Sequence, residues 1–100
     1  MTLGDSPDLG GPTLPDHIRS GLDVVFVGIN PGTYSAQLGH YFATPSNRFW
    51  PAINLSGILT EPLSSGTDHL ALQQGIGFTD VVKRPSSSAS KLRADDFRRW

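Results

Sequence analysis

The residues best placed to do chemistry fall in a few short stretches. Gly28-Ile29-Asn30-Pro31-Gly32 follows directly on an apolar run, where an α/β sheet delivers its strand to a ligand. Its glycines do not stand in the G-x-G-x-x-G spacing of a dinucleotide loop, and the Gly-Lys-Ser/Thr ending of a phosphate-binding P-loop is missing. The alternative is a strand-terminating turn in which Asn-Pro-Gly serves backbone geometry alone. Asp80 alternates onto the strand face shared by Phe78 and Val82, apolar company that is costly for a carboxylate. It is therefore either a base or stabilising charge in a pocket, or a structural carboxylate that caps a nearby loop or pairs with Lys83 or Arg84. Arg48, Lys83 and Arg84 are candidate phosphate contacts, Arg48 because it stands early in a helix whose amide end also attracts anions. Surface ion pairing is the alternative for all three.

With no Cys there is no disulfide framework, no thiolate metal site and no cysteine nucleophile, and three scattered His do not suggest zinc. No metal or cofactor is expected. The net charge of −1 conceals an asymmetry: residues 1–82 hold two basic residues against seven acidic ones, and residues 83–100 hold six basic against two acidic. That polarity fits a phosphate-bearing partner along one edge, or a solvated helix face followed by a charged loop. The longest apolar stretch, Val24 to Val27, is far short of the roughly 18 residues of a membrane span, and the start of the chain is no signal peptide. A soluble, monomeric protein is expected, cytoplasmic and nucleoid-associated if bacterial.

At 100 residues the chain has room for one core. Residues 1–15 combine Gly, Pro and Asp without an apolar period and are expected to be a flexible lead-in, with residues 16–100 forming part of one domain. Val24 to Val27 reads as a central strand buried on both faces and ended by Gly28, followed by a loop over residues 29–45. A helix is predicted from a cap at Ser46 or Asn47 towards Ile58, with Phe49, Ile53 and Leu55 as core contacts, Pro51 in its first turn or kinking it, and Gly57 weakening or ending it. Thr67 opens a second helix to Gln74, with Gly75 as its C′ residue. Gly77 to Val82 reads as a second strand, Pro85 to Ser90 as a mobile loop, and Ala94 to Trp100 as the opening of a helix. This alternation is that of an open α/β sheet. Two strands do not complete one, so further strands in a longer parent protein are expected.

The first motif and the stretch Phe42-Ala43-Thr44-Pro45-Ser46-Asn47-Arg48-Phe49-Trp50 together resemble the mismatch-specific uracil/thymine DNA glycosylase family. That family carries a Gly-Ile-Asn-Pro-Gly motif followed, after a short gap, by Phe-Ala-x-Pro-x-Asn-Arg-Phe-Trp. Thr79 to Pro85 is similar to a later family segment, so the resemblance runs from about Leu22 to Ser90. It implies a three-layer α/β/α sandwich with a mostly parallel central sheet, of which this chain holds the N-terminal part. A later Asn-Pro-Ser-Gly-like loop, which inserts into the duplex, has no counterpart here.

The implied activity is metal-free, monofunctional hydrolysis of the N-glycosidic bond of uracil, best in G·U pairs of duplex DNA, leaving an abasic site. A base buried in the duplex must first leave the stack. The resemblance implies that Asn30 holds the attacking water, that Phe42 is the floor under the base, that the backbone at Ile29 and Phe42 reads the pyrimidine, and that Gly32 leaves room for the flipped nucleotide. An amide orients water but is not a useful base near neutral pH, so positioning and stabilisation of the departing anion carry the catalysis. For each of these residues a structural role stays open: Phe42 as one more core aromatic, Gly32 as a turn glycine. A non-catalytic module that binds damaged DNA or a protein is the rival reading, and a nucleotide-binding domain a weaker third.

Overall fold

The computed structural model describes residues 13–98. Strand β1, Val24–Gly28, runs into helix α1, Thr33–Leu38, and then helix α2, Phe49–Ser56. A 3₁₀ helix, Ser65–Gln74, leads to strand β2, Ile76–Asp80, a single 3₁₀ turn, Ala89–Lys91, and helix α3, Ala94–Phe97. The strands pair in parallel, from Val24 opposite Ile76 to Gly28 opposite Asp80. Parallel pairing requires a crossover, and α1, α2 and the 3₁₀ helix supply it. The chain is thus α/β.

Phe78, in the middle of β2, is the hub of the core. Its ring lies 5.1 Å from Tyr41, 5.7 Å from Trp50, 5.8 Å from Phe49 and 5.9 Å from Phe26. Burying one such ring contributes about 1.5–3 kcal/mol. The cluster ties both strands to the segment between them, so the loop at residues 40–43 is fixed from the core outward.

Several expectations meet a different outcome. The lead-in expected over residues 1–15 falls outside the described residues as far as residue 12, but Thr13 donates to the Lys83 carbonyl and Leu14 is buried in the core. The strand buried along its whole length is β2, whereas β1 alternates, with Val25 and Val27 exposed. β2 is flanked by β1 on one side and by an antiparallel bridge from His17 to Phe78 on the other, which accounts for the contrast.

The long loop is interrupted by α1, closed by Gly39 in the left-handed conformation (φ 77°). Only Ser35 and Ala36 of this helix are buried, too few to leave a periodic signal. In α2, Trp50 and Ile53 are buried but Leu55 is exposed. Pro51 lies in the first turn, where its missing N–H costs nothing, and Gly57 ends the helix with φ 82°. The second crossover helix is 3₁₀ and starts at Ser65, capped by reciprocal contacts between Ser64 and Thr67, and it ends at Gly75 as expected. The loop expected over Pro85 to Ser90 contains the start of a 3₁₀ turn at Ala89, and the two final residues of the last expected helix lie outside the described residues.

Candidate active site

At the C-terminal ends of β1 and β2 a cavity of about 240 Å³ opens, lined by Asn30, Pro31, Gly32, Ser35, Tyr41, Phe42, Asn47 and Asp80, among others. Pockets for drug-sized molecules run roughly 300–1,000 Å³, so this one suits a single small ring. Carboxyl ends of parallel strands are where α/β sheets bind ligands.

Asn30 is held by its amide nitrogen, which donates to the Arg84 carbonyl (2.9 Å), to Ser86 Oγ (2.8 Å) and to the Pro31 carbonyl (3.2 Å). Two of these partners are carbonyls, which only accept, so the amide cannot be flipped. Its Oδ1 takes part in no hydrogen bond among the described residues and is the atom left to serve the cavity. The parallel bridge from Gly32 to Ser86 and the Ser86 N–H to Pro31 carbonyl bond (3.1 Å) lock the two loops together behind it.

Asp80 is buried, and its Oδ2 has no hydrogen-bond partner among the described residues. The pairing with Lys83 or Arg84 weighed from the sequence is not formed by its carboxylate. Lys83 Nζ donates instead to the Asp80 backbone carbonyl (2.6 Å) and to Asp16 Oδ1 (2.6 Å). Burial pushes the Asp80 carboxyl up to about 6, with Lys83 working against the rise and Asp16 with it. The carboxylate fits against the sheet because its cross-strand partner is Gly28, where a Cβ would run into Asp80 Oδ1.

Gly32 has an ordinary backbone (φ −69°, ψ 153°), and a Cβ there would meet nothing within 4 Å. Neither the turn nor a neighbouring chain segment requires the glycine, and the space beside it is open. Phe42 stacks on Phe49 (4.2 Å, 25°) and is the one non-glycine residue with positive φ (53°) among those described. For an L-residue other than Gly this conformation costs about 1–2 kcal/mol. Ile29 is exposed and does not line the cavity, and its carbonyl is engaged by the Val82 N–H (2.8 Å).

The three cationic candidates separate. Arg84 is bound through Nε and Nη2 to Asp96 (2.9 and 2.7 Å), and Lys83 is spent on Asp16, so both form the ion pairs that stood as their alternative. Arg48 is exposed at the start of α2 and makes no ion pair among the described residues. Among those residues no cluster of three or more His, Asp or Glu is gathered as a metal site would need, and no helix is long and apolar enough to cross a membrane.

The motif loop, the aromatic stretch and the strand end that the sequence singled out thus meet around one small cavity. The family model of the uracil DNA glycosylase superfamily matches residues 15–100, which include every cavity residue named above. The chain belongs to the uracil DNA glycosylase superfamily. A relative from Schizosaccharomyces pombe, named G/U mismatch-specific uracil DNA glycosylase, is 38% identical over 87 residues, which cover 85% of this chain and 27% of the relative. The chain therefore spans about a quarter of that relative's length.

Ser35 and Tyr41 belong to the stretches marked from the sequence but carry no assigned role there; this superfamily member places both, together with Asp68, around the same loop. Tyr41 donates its hydroxyl to the Pro15 carbonyl (2.8 Å), and burial, followed by Asp80, Asp16 and Asp68, raises its pKa so that it stays neutral. Asp68 is buried at 1% exposure in the first turn of the 3₁₀ helix. No local pattern distinguishes it from a solvated aspartate, because its partners lie 27 and 28 residues away.

Proposed function

We propose that the complete protein is a DNA glycosylase that removes uracil, best from G·U mismatches, from nucleotides rotated out of duplex DNA, and leaves an abasic site. One observation carries the reading. The Asn30 amide is immobilised by its nitrogen on the same small cavity as the buried Asp80 carboxylate, and among the described residues the Asn30 oxygen and one Asp80 oxygen have no partner. Membership in the superfamily and the name of the relative support it.

In this reading Asn30 Oδ1 accepts a hydrogen bond from the water and aims it at C1′. The C1′–N bond breaks, the water oxygen bonds to C1′, and the base leaves as an anion that takes up a proton. Asp80, titrating near 6, is well matched to accept the proton of the water near neutral pH and to offset positive charge on the sugar. Phe42 is the floor on which the ring stacks, the backbone at Ile29 and Phe42 reads its edge, and the open space at Gly32 admits the nucleotide. Arg48 contacts phosphate, and the internal pairing of Lys83 and Arg84 limits their part in DNA binding.

For the architecture we infer a three-layer α/β/α sandwich in which a further layer covers the face of β1 that carries Val25 and Val27, both exposed here. Incubation of the complete protein with a labelled G·U duplex, followed by alkali, is expected to give scission at the uracil, with chelator making no difference. No scission at large enzyme excess refutes the activity. Binding of the duplex without scission would instead favour a non-catalytic module.

A further inference from the structure

Phe42 is held left-handed from both sides by three buried side chains, each from a different element. The Tyr41 N–H donates to Asp68 Oδ2 (2.7 Å) in the 3₁₀ helix, the Tyr41 carbonyl accepts from Trp50 Nε1 (3.0 Å) in α2, and the Ala43 N–H donates to Ser35 Oγ (2.9 Å) in α1. The second oxygen of Asp68 faces His40 Nδ1 at 3.1 Å, so both oxygens of this buried carboxylate are occupied. On these same peptides, the N–H and C=O of Phe42 itself enter no hydrogen bond among the described residues.

A left-handed phenylalanine does not persist unless its surroundings overdetermine it, and such residues gather at ligand sites. Here the Trp50 and Ser35 contacts fix the two peptide planes that flank Phe42, through the Tyr41 carbonyl and the Ala43 N–H, and leave the other group of each plane, the Phe42 N–H and C=O, unbonded in a residue that lines the cavity. We propose that Ser35, Trp50 and Asp68 are positioning residues that hold Phe42 in its left-handed conformation, so that its unbound backbone N–H and C=O meet the hydrogen-bonding edge of a small planar ring such as uracil. This rests on the reading of the cavity as the base pocket. A mere loop staple predicts something different: loss of thermal stability, with unchanged ring recognition in the protein that remains folded.

The clamp can be released from either end. Ser35→Ala removes one acceptor without changing side-chain size greatly, Asp68→Ala removes the other, and Asp68→Asn keeps an oxygen that can accept from the Tyr41 N–H. The complete protein and each variant are titrated with free uracil by NMR, well below their melting temperatures, with the Phe42 amide as reporter and its backbone torsion read from scalar couplings. In Ser35→Ala and Asp68→Ala, Phe42 is expected to leave the left-handed region and uracil affinity to fall about 10-fold or more, the scale of a misplaced binding group, whereas Asp68→Asn stays within about 3-fold. Single-turnover excision should slow in parallel while duplex affinity holds.

Folded variants in which Phe42 keeps its torsion and uracil affinity is unchanged overturn the proposal, as does an Asp68→Asn protein as impaired as Asp68→Ala. If Asp68→Ala does not fold, Ser35→Ala decides. The two readings fail separately: a wild type that excises nothing, yet whose Phe42 responds to the variants as described, refutes the activity and keeps the clamp. A wild type that excises uracil, with variants that behave like it, does the reverse.

Discussion

The loops around Asn30 and Asp80 and the basic segment that begins at Lys83 adjoin each other, yet their polar groups are treated in opposite ways. Around the cavity, Asn30 Oδ1 and the buried Asp80 Oδ2 are left without partners among the described residues, and burial lifts the Asp80 carboxyl to about 6. In the basic segment, Arg84 grips Asp96 through two nitrogens and also reaches the Lys91 carbonyl (3.1 Å), and Lys83 is bound to Asp16. Asp96 is held down at about 2, first by the hydrogen bonds from Arg84 and then by that from the Arg93 N–H. Charge density marks the second region in the sequence, but the two cations nearest the cavity, Lys83 and Arg84, are spent on Asp16 and Asp96. Unspent hydrogen-bonding capacity in a buried setting is the better marker of chemistry, because an unpaired buried polar group is costly unless a ligand repays it.

The largest effect that sharpens this contrast is expected from Asn30→Ala. Single-turnover excision should fall roughly 10²-fold or more, the scale of a lost positioned group, with duplex binding little changed. A near-normal rate with a folded protein would mean that the free Oδ1 marks no water site.

Asp80→Asn tests the other unspent group by two measurements. If the carboxylate serves as base, excision falls about 10- to 100-fold and the acidic limb of the pH–rate profile near pH 6 disappears. Stability moves the other way. A carboxyl whose folded-state pKa is raised favours the fold below its ordinary value of 3.8 and penalises it increasingly as pH rises through about 6. Asp80→Asn should therefore stabilise the protein by about 1–3 kcal/mol at neutral pH, and by nothing below about pH 4. Asp96→Asn should show the opposite signature, destabilising at neutral pH and losing its effect as pH falls from 3.8 towards about 2. Urea unfolding of both variants across pH reads the comparison directly, and the same sign for both would break it.

Gly28→Ala is expected to cost about 1–3 kcal/mol, because the added Cβ runs into Asp80 Oδ1 within a packed sheet. Combined with Asp80→Ala the cost should largely vanish. Additive costs in the double variant would separate the glycine from the carboxylate.

What the sequence made legible depended on how locally each feature is determined. The apolar run of β1, the first-turn Pro51 and the helix ends at Gly57 and Gly75 are written in neighbouring residues, and each is found in place. The motif residues Asn30, Phe42 and Asp80 were picked out by type and spacing and do line one cavity. Helix α1 was missed because one buried Ser-Ala pair leaves no period. Leu14 was placed in a lead-in because its neighbours are Gly and Pro, although it packs among residues far along the chain. The fates of Lys83 and Asp68 are set by partners 67 and 27 residues away, a separation at which one-dimensional pattern carries no information.

The smallest effect concerns the cations, where the two regions make contrary claims on DNA. Arg48 is exposed and makes no ion pair among the described residues, so it is free to neutralise a phosphate, whereas contact through Arg84 would first require breaking its hold on Asp96. Each phosphate neutralised releases counterions and steepens the dependence of log K on log salt by about 0.9 for duplex DNA. Arg48→Ala should therefore flatten that slope by about 1 and weaken binding similarly for matched and mismatched duplexes. Arg84→Ala should leave the slope unchanged and lower the melting temperature, since Asp96 loses its partner and the Arg84 carbonyl that anchors Asn30 loses part of its support. A flattened slope for Arg84→Ala and none for Arg48→Ala would reverse the assignment and return the basic segment to the DNA interface.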